Sequence, residues 1–570
     1  MTTRTSASGS VRPAAVAVAL VAALAAVAAL PARAQEAKVF SRVELTQDAR
    51  QLADAIERSH PDPYSAGGGI IAFHRRLHDL LRAIPSGGMT EEQFYRYLLP
   101  FVARLRDGHT AVLQADDGGP RPGLPLGFRI VDESLVVAAA PESGAAPSGA
   151  AGSRGRDLLG AALVAIEGVP MHELVERQNN LRGIENVYGT LALLVRGLRT
   201  ERGVALLLPE WSDRSTIRVA LRLASGEVRE LGLASGPAPA ATLASRVTMP
   251  DTRATDVAWR FLDGAGKTAL LEIDDMSAYR EGCEAWLAAG MSEGAEMTRE
   301  AYRRFHRGEP PASMEAVLAG IPSATDAFAG LMDAMRAKGT ENLIVDLRAN
   351  TGGNDLMEAI LIDFLFGPEV MKTYATGYQI VRYSDLYFQV YAASRLEEIN
   401  RGRDLPLQTN DYDFSGERRA GADAGARLLA ELKKAPTFYR RYEAGIVPYR
   451  PRAIVVLSSA FTYSAGFSML AALSSLGATV VGTPPAQAGN CFSDSLLFRL
   501  RNTQLMCAVA FKQNVTFPDD PERGRCLIPD VRLTFEKLAA LGFDPNAEVL
   551  LALETLGHPA RRPGSGQGGR

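Results

Sequence analysis

Ser464 is the first residue whose type and position could support chemistry. It follows an apolar run at 453–457 that predicts a buried strand, and a helix is predicted from about the serine itself to Leu476. A hydroxyl in this position is exposed at the carboxyl end of a strand, and the N–H groups of the helix N-terminus lie where an oxyanion would develop. Taken alone, the pattern favours an ordinary helix N-cap, because serine is a preferred capping residue.

A glycine turn after another predicted strand is the second candidate. The segment 346–355 has the sequence DLRANTGGND, in which Gly352 and Gly353 are adjacent. Glycines let a backbone approach a ligand closely and leave its N–H groups free to bind. The alternatives are an ordinary turn and a phosphate-binding loop. Because neither a Walker spacing nor a G-x-G-x-x-G motif occurs here, nucleotide binding is disfavoured.

His109 is the third candidate, in the segment RDGHT at 106–110. A histidine on a glycine turn is mobile enough to enter a cleft, and its ordinary pKa of about 6.5 suits proton transfer near neutral pH. Most single histidines are structural or surface residues, so the segment by itself does not establish a base.

Together, these segments resemble the S41 peptidase family, the tail-specific or carboxy-terminal-processing proteases with their tricorn-core relatives. The matching segments occur in the family's order and extend over most of the chain after residue 34. They are HPDPY at 60–64, DGHT at 107–110, DLR at 346–348 followed by Gly352 and Gly353, TYSA at 462–465, VGT at 481–483 and IPDV at 528–531.

The resemblance implies roles at the serine end of the site. Ser464 would be the nucleophile, and the N–H of Ala465 together with the turn at Gly352 and Gly353 would form the oxyanion hole. One branch of the family pairs its serine with a lysine downstream. Here the first lysine after Ser464 is Lys512, so a serine–lysine dyad is disfavoured.

The branch that resembles the tricorn core implies a different base. It uses a serine, a histidine and a supporting glutamate. His109 matches the histidine of its Asp-Gly-His motif, and Glu522 stands before the IPDV segment, where the acid is expected. Such a set suffices chemically, because a neighbouring base takes the serine proton during attack and a carboxylate holds that base in the right tautomer.

The chain also departs from the family pattern at two points. Many members continue the serine motif as Ser-Ala-x-Glu, whereas here it reads Ser464-Ala465-Gly466-Phe467. The strand turn reads NTGG at 350–353 and lacks a run of three glycines. Both changes bear on how a substrate is placed and on whether the site is active.

The resemblance implies an α/β fold with a ClpP/crotonase-like catalytic core. Helical periodicity indicates an N-terminal helical module, and short apolar runs broken by Gly, Pro and Ser indicate a β-rich domain after it. Within that domain, the run LVAIEGVP at 163–170, followed by a predicted short helix, resembles PDZ-like modules. The predicted organisation is a signal peptide (1–34), the helical module (35–115), the β-rich domain (116–240), the core (241–558) with insertions near 285–322 and 371–449 that cap the site, and a disordered tail (559–570).

The expected function is that of a secreted or periplasmic serine endopeptidase that cleaves protein or peptide substrates through an acyl-enzyme, with no cofactor. The alternative is a non-catalytic ligand- or peptide-binding protein on the same scaffold, and the discriminating feature is whether a base reaches Ser464. An α/β-hydrolase esterase needs Gly-x-Ser-x-Gly, and Thr462 occupies the first glycine position.

Composition and charge limit the partners and the compartment. The 570 residues are 46% hydrophobic and 22% charged with a formal charge of -3, which gives no reason to expect nucleic acid. Residues 1–34 carry three arginines, no acid and an apolar run before an Ala-Arg-Ala motif, typical of a cleavable signal peptide. Cleavage would leave a charge of -6 and no stable membrane span.

Four cysteines, Cys283, Cys491, Cys507 and Cys526, would meet an oxidising compartment after export. The last three lie close together in sequence, so a local disulfide is an open possibility, although the pairing cannot be chosen. Metal binding is disfavoured because no C-x-x-C motif occurs and the seven histidines are scattered.

Overall fold

The computed structural model describes residues 38–113, 121–141, 155–211, 215–237, 243–291, 293–374, 377–391, 394–416 and 423–557. The predicted signal peptide and the predicted tail lie outside these residues. The mixed α/β class is confirmed, with three larger sheets and helices around them. Within the described residues, no helix combines the length and the apolar character needed to cross a bilayer.

The amino-terminal part is helical, as its periodicity predicts. Its first helix begins at a capping box, in which Ser41 accepts from Glu44 N–H and the Glu44 carboxylate accepts from Ser41 N–H. The elements are β1 (Val39–Phe40), α1 (Arg42–Ser59), α2 (Ile70–Ala83), β2 (Met89–Thr90), α3 (Glu91–Ala103) and β3 (Ala111–Leu113).

The second part contains the predicted antiparallel strands and also three helices where a single short one was expected. Its strands pair in the order β4-β5-β6-β8-β9, with β7 beside β6. The elements are β4 (Gly127–Val131), β5 (Ser134–Ala139), β6 (Ala162–Ile166), β7 (Val169–Pro170), α4 (Met171–Leu181), α5 (Val187–Leu198), α6 (Glu201–Leu207), β8 (Thr216–Arg222) and β9 (Val228–Ala234).

The core is built on a six-stranded sheet in the order β10-β11-β12-β15-β16-β19, in which only β10 runs antiparallel to its neighbour. Parallel strands buried on both faces explain their continuous apolar runs. The strands are β10 (Val257–Phe261), β11 (Thr268–Ile273), β12 (Asn342–Asp346), β15 (Ala453–Ser458), β16 (Thr479–Gly482) and β19 (Val531–Arg532).

Helices cover this sheet and fill the two insertions. Those nearest the sheet include α10, which ends at Gly339 with positive φ, and α17, which follows Ser464. The helices are α7 (Arg280–Ala288), α8 (Gly294–Phe305), α9 (Met314–Gly320), α10 (Ala324–Lys338), α11 (Leu356–Phe366), α12 (Pro368–Thr373), α13 (Asp385–Tyr391), α14 (Arg395–Asn400), α15 (Asp423–Leu432), α16 (Pro436–Glu443), α17 (Ala465–Ser475), α18 (Pro521–Arg525), α19 (Phe535–Ala540) and α20 (Ala547–Gly557).

A second sheet joins the two ends of the chain. It consists of β13 (Tyr378–Arg382), β14 (Tyr412–Asp413), β17 (Asn490–Arg499) and β18 (Met506–Val515), with β3 from the amino-terminal part paired antiparallel to β18. The main-chain carbonyl of His109, two residues before β3, accepts from the Ser495 hydroxyl at 2.7 Å. The pairing therefore fixes the segment that carries His109 against the core.

Two expectations from sequence are corrected. All four cysteines are free thiols, so the local disulfide does not form. The described parts of the two insertions pack into two apolar clusters: α8, α9, α13 and α14 pack with Phe511, and α15 and α16 pack against the main core. None of these helices lines the cleft beside Ser464. Charged and aromatic composition indicated insertions, but it carries no information about which face of the core they cover.

An ion network links the β-rich part to the core. Glu548 on α20 forms ion pairs with Arg129 on β4 and with Arg348, and Arg348 also pairs with Asp346 at 2.6 Å. Burial alone would raise the pKa of Glu548, but the charges of Arg129 and Arg348 outweigh burial and lower it to about 2. The carboxylate is therefore charged, and it compensates two largely buried guanidinium groups.

Glu548→Ala is expected to lower the free energy of unfolding by about 3–5 kcal/mol, because it removes one partner from a buried ionic network. Urea denaturation followed by circular dichroism measures the change. Glu522→Ala removes an exposed carboxylate and serves as the control, with an expected change below about 0.5 kcal/mol. Equal effects of the two substitutions would contradict the role assigned to Glu548.

Candidate active site

The backbone at Ser464 presents the side chain to a cleft. Ser464 stands before α17 with φ 50° and ψ -126°, a conformation that non-glycine residues rarely adopt. Its side chain makes no capping hydrogen bond to the helix, which separates it from the ordinary N-cap that the local sequence favoured. Its main-chain N–H instead donates to the buried Gln487 amide oxygen at 2.7 Å. The strand–turn–helix arrangement leaves the hydroxyl available.

The glycine turn lies directly against this serine. A Cβ on Gly352 would stand 2.5 Å from Ser464 Cβ, and Gly352 has φ 110°, so both space and backbone require glycine. A Cβ on Gly353 would meet the main chain of Met276 at 2.0 Å. The two glycines therefore let strand ends from different parts of the core approach within van der Waals distance.

The N–H groups around Ser464 differ in what they can bind. Gly352 N–H donates to the Asn350 side-chain oxygen at 2.9 Å, so it is already engaged. The hydrogen bonds found among the described residues include none donated by Ala465 N–H or Gly353 N–H. The two N–H groups best suited to bind an oxyanion are therefore those of Ala465 and Gly353. Gly352 contributes by having no side chain, which leaves room for Ser464.

His109 reaches Ser464 from the other end of the chain, 355 residues away. Its Nε2 lies 3.4 Å from Ser464 Oγ, and its Nδ1 lies 3.2 Å from the Tyr463 hydroxyl. The ring also stacks on Tyr463, with 5.0 Å between the ring centroids. Burial is the largest influence on this side chain and lowers the pKa of His109 from 6.5, so the imidazole is neutral at neutral pH.

Asp107 supports His109 through its main chain and through its charge. Its Oδ1 accepts from the main-chain N–H of His109 at 2.8 Å, and its Oδ2 lies 3.3 Å from Nε2 of the buried His60. Burial opposes the charged carboxylate, but the hydrogen bond and charge of His60, with His109 and Thr110, outweigh it and lower the pKa of Asp107. Asp107 Oδ1 is 3.9 Å from His109 Nδ1, which makes it an electrostatic neighbour of the ring.

Tyr463 connects His109 to a second carboxyl group. The Tyr463 hydroxyl donates to Glu185 Oε1 at 3.0 Å, and Gly108 N–H donates to the same oxygen at 3.3 Å. Burial, with the nearby charge of Asp107, raises the pKa of Glu185 to about 8. Glu185 is therefore protonated at neutral pH. Because the Tyr463 hydroxyl donates its proton to Glu185 Oε1, its oxygen can accept a hydrogen bond from Nδ1–H of His109.

Glu522 does not join this group, which corrects the expectation for the acidic partner. It lies on α18 with an exposed side chain that pairs with Arg525. Its place before the IPDV segment suggested the site, but a short helix directs it to solvent. The carboxyl groups that the structure brings to His109 are those of Asp107 and Glu185.

The same groups have the composition of a possible cation site. Ligand atoms of Asp107, His109 and Glu185 all lie within 4.8 Å of one another. Those atoms already take part in hydrogen bonds with Tyr463, Gly108 N–H and His109 N–H. We therefore treat the cluster as a hydrogen-bond network that orients the imidazole.

The cleft at Ser464 encloses about 70 Å³ and is mainly apolar, with polar groups at its base. It is lined by Gly108, His109, Arg182, Ile184, Gly189, Ala192, Leu193, Arg196, Thr351, Gly353, Ala460, Phe461, Tyr463, Ser464 and Ala486. A larger cavity of about 380 Å³ lies near β4 and β5 and contains none of the predicted catalytic residues. The smaller cleft, which contains Ser464 and His109, is therefore the candidate active site.

Comparisons with known proteins concern the family and the fold. The family model described as Peptidase family S41 matches residues 312–513, a range that contains Ser464, Ala465 and both glycines. This segment of the chain is similar to peptidase family S41. His109 lies outside the segment, so its role rests on its distance from Ser464.

The solved structures show that the fold extends beyond the S41 segment. Mature CPAF complexed with lactacystin has a TM-score of 0.52 at 13% identity, with 90% of this chain and 98% of that chain covered. A mutant of CPAF has a TM-score of 0.54 at 14% identity, with 91% and 99% covered. At these identities the likeness concerns the fold alone. No curated protein matches the chain.

Sequence reasoning missed the groups that flank His109 in the structure. Tyr463 and Asp107 lie within the motifs that carried the resemblance. Their closeness in sequence to Ser464 and His109 could therefore have identified them. No sequence signal pointed to Glu185, because it lies between α4 and α5, in a part of the chain where the sequence indicated strands.

Gly352→Ala is expected to reduce the rate at which a serine-reactive phosphonate labels Ser464 by about a hundredfold or more, since an added Cβ displaces the nucleophile. Mass spectrometry of the labelled protein measures the rate. Gly264, whose added Cβ would meet nothing within 4 Å, provides the matched Gly264→Ala control. Labelling of Gly352→Ala at the rate of the control would show that the close approach does not position Ser464.

Proposed function

We propose that this protein is a serine endopeptidase that cleaves peptide bonds through an acyl-enzyme. The observation that carries the proposal is the 3.4 Å separation between His109 Nε2 and Ser464 Oγ. A base within reach of the serine is the feature that separates an enzyme from a binding protein on the same scaffold. Distances at the long end of hydrogen bonding are usual before substrate binds.

The first step in the proposal is attack by Ser464 on the substrate carbonyl. Neutral His109 accepts the hydroxyl proton at Nε2, which requires the tautomer with hydrogen on Nδ1. The Tyr463 hydroxyl is suited to hold that tautomer, because it can accept from Nδ1–H while donating to Glu185 Oε1. The tautomer is assigned from this network of hydrogen bonds.

The tetrahedral intermediate needs donors for its oxyanion. We assign this role to the N–H groups of Ala465 and Gly353, on either side of the serine. The imidazolium then protonates the leaving amine, and water attacks the acyl-enzyme with His109 acting again as base. Asp107, charged and buried, stabilises the imidazolium while it exists.

The proposal also covers the location of the enzyme, its substrates and its second domain. The pattern of residues 1–34 predicts export by a cleaved signal peptide, which would place the enzyme in the periplasm or outside the cell. Protein or peptide substrates follow from the peptidase assignment. The part between residues 116 and 240 is proposed as a PDZ-like domain, and it supplies Arg182, Ile184 and Arg196 to the lining of the cleft.

A fluorophosphonate probe tests the nucleophile and the base together. Labelling is expected for the wild-type protein, to be absent in Ser464→Ala, and to fall about 10²–10⁴-fold in rate in His109→Ala, because the serine loses its proton acceptor. Persistent labelling of Ser464→Ala would refute the nucleophile, and unchanged labelling of His109→Ala would remove the base. A protein that does not react while still folded would favour the binding-protein alternative.

Tyr463→Phe tests the positioning network by its pH profile. In the wild type, kcat/KM should fall on the acid side below pH 6.5, because burial lowers the pKa of His109 and the base is lost only once it is protonated. Removing the hydroxyl takes an acceptor from the imidazolium, so the acid limb should move to still lower pH, and kcat should fall about ten- to a thousandfold.

The matched control for this test is Tyr439→Phe on α16, which removes a tyrosine hydroxyl outside the cleft. Its kcat and acid limb should equal those of the wild type. A merely structural role for Tyr463 would lower the amount of active enzyme without moving the limb, and an unmoved limb in Tyr463→Phe would therefore contradict the positioning role.

A further inference from the structure

A cavity of about 380 Å³ lies between the β4–β5 hairpin and the core, outside the cleft that holds Ser464. Its volume falls in the range of small-molecule sites, about 300–1,000 Å³, which occur preferentially where domains meet. Strands β4 and β5 form one wall, and the ends of β11 and β12 with α19 and α20 form another. The lining is mainly apolar and includes a few charged groups, so the cavity has the composition of a ligand site.

Four of the charged groups in this cavity are partners of one another. Arg129 and Arg348 pair with Glu548, and Arg348 also pairs with Asp346. These side chains are the ion network that links the β-rich part to the core, and their charges cancel within it. The two arginines therefore offer no net positive charge that would attract an anion into the cavity.

Glu272 is a charged group of the lining that has no such partner. It lies on β11 beside Asp346 of β12, and its partly exposed side chain lines the cavity. Among the described residues, Glu272 has neither an ion pair nor a hydrogen bond, and its Oε2 is buried. Its Oε1 is not buried in this way and is the oxygen that a ligand can reach.

The surroundings of Glu272 favour a positive charge beside it. Burial is the largest influence and, with the charges of Asp346 and Asp274, raises the pKa of Glu272 to about 8 against the opposing charge of Arg348. The carboxyl group is therefore protonated at neutral pH. A bound ammonium ion can take the place of that proton, because it offsets the repulsion from the two aspartates and pairs with the Glu272 carboxylate.

Three phenylalanines are a second feature that suits an organic cation. Phe128 on β4, Phe461 before Ser464 and Phe543 between α19 and α20 all line the cavity. Aromatic faces attract ammonium groups, and the same rings bury apolar carbon. An ammonium ion on an apolar body therefore matches both the carboxyl group and the rest of the lining.

The cavity adjoins the cleft along one short segment. Ala460 and Phe461 line both spaces, and they lie in the turn between β15 and Ser464. These two residues are therefore a wall that the cavity and the cleft share. A long side chain of a peptide bound in the cleft is thus one source of a ligand for the cavity, and a free small molecule is the other.

We propose that this cavity binds an organic ammonium ion with an apolar body, and that Glu272 is its counter-ion. The ion is either a free amine or the lysine side chain of a peptide in the cleft. Both present the same chemistry to Glu272 and to the three phenylalanines. The lysine source rests on the peptidase function proposed above, whereas the free amine does not.

Isothermal titration calorimetry with phenethylamine tests the site, and 2-phenylethanol is the uncharged probe of matching shape. The wild-type protein should bind the amine about tenfold more tightly than the alcohol or better, because only the amine pairs with Glu272. At pH 7, binding of the amine should release about one proton, since Glu272 must lose its proton to form the pair. Titration in buffers of different ionisation enthalpy measures this release.

Two variants locate the site. Glu272→Gln keeps the shape of the side chain and should remove both the preference for the amine and the release of a proton. Ala138→Phe on β5 should weaken binding of both probes about tenfold or more, because the added ring fills the cavity. Glu341→Gln is the matched control, since Glu341 is exposed and lies outside the cavity lining, and it should keep the wild-type values.

Lysine acetylation of a peptide library distinguishes the two sources of the ion. If the substrate supplies it, cleavages by the wild type should be enriched in lysine at one position near the cut, and Glu272→Gln should lose this enrichment. Acetylation should then lower kcat/KM about tenfold or more, and phenethylamine should compete with the peptides. If the ligand is a free amine, acetylation should leave the cleavages unchanged while phenethylamine still binds.

The outcomes also separate this inference from the proposed function. Failure of the wild-type protein to bind phenethylamine at up to about 10 mM would overturn the site. Equal binding of the amine and the alcohol would overturn it too, as would a preference for the amine that survives in Glu272→Gln. A protein that binds the amine through Glu272 but is not labelled at Ser464 by a fluorophosphonate would keep the site and lose the peptidase.

Discussion

The pairing of β3 with β18 is the constraint on which the site depends. Strand β3 follows His109 by two residues and occupies an edge of the second sheet, through Ala111, Val112 and Leu113. Without this pairing, the ordinary flexibility of the turn at Gly108 would let the imidazole move away from Ser464. A long-range strand addition fixes a side chain more firmly than a surface contact, because each main-chain hydrogen bond restricts the whole segment. The chemistry of the cleft is therefore tied to correct assembly of both ends of the chain.

The serine side is fixed by a different means. Ser464 holds a rare backbone conformation, and such strain persists only where the surroundings impose it. Gly352 against its Cβ, Asn350 accepting from Tyr463 N–H at 3.0 Å and Gln487 accepting from Ser464 N–H together impose it. The hydroxyl is thus held by its main chain. The imidazole is held by β3 and by the network through Tyr463, the residue before Ser464, so Tyr463 helps to position both reacting groups.

Much of the core could be predicted from sequence because its signals are local. The strand and helix around Ser464, the helix ending at Gly339 and the strand before Asp346 all have short apolar runs bounded by turn residues. The acidic partner could not be predicted in this way. Glu522 is close to a motif in sequence, yet its short helix faces solvent. Glu185 is remote in sequence and reaches the site because three helices interrupt the β-rich part, a departure that periodicity did not reveal.

The two carboxyl groups beside His109 have different charge states, and the difference suits the proposed chemistry. Had both been charged, their combined potential would favour the imidazolium and raise the pKa of His109, so the base would be lost near neutral pH. Because burial keeps Glu185 protonated, it can orient the ring through Tyr463 without adding negative charge. Asp107, together with the charge of Asp494, then stabilises the imidazolium formed during attack.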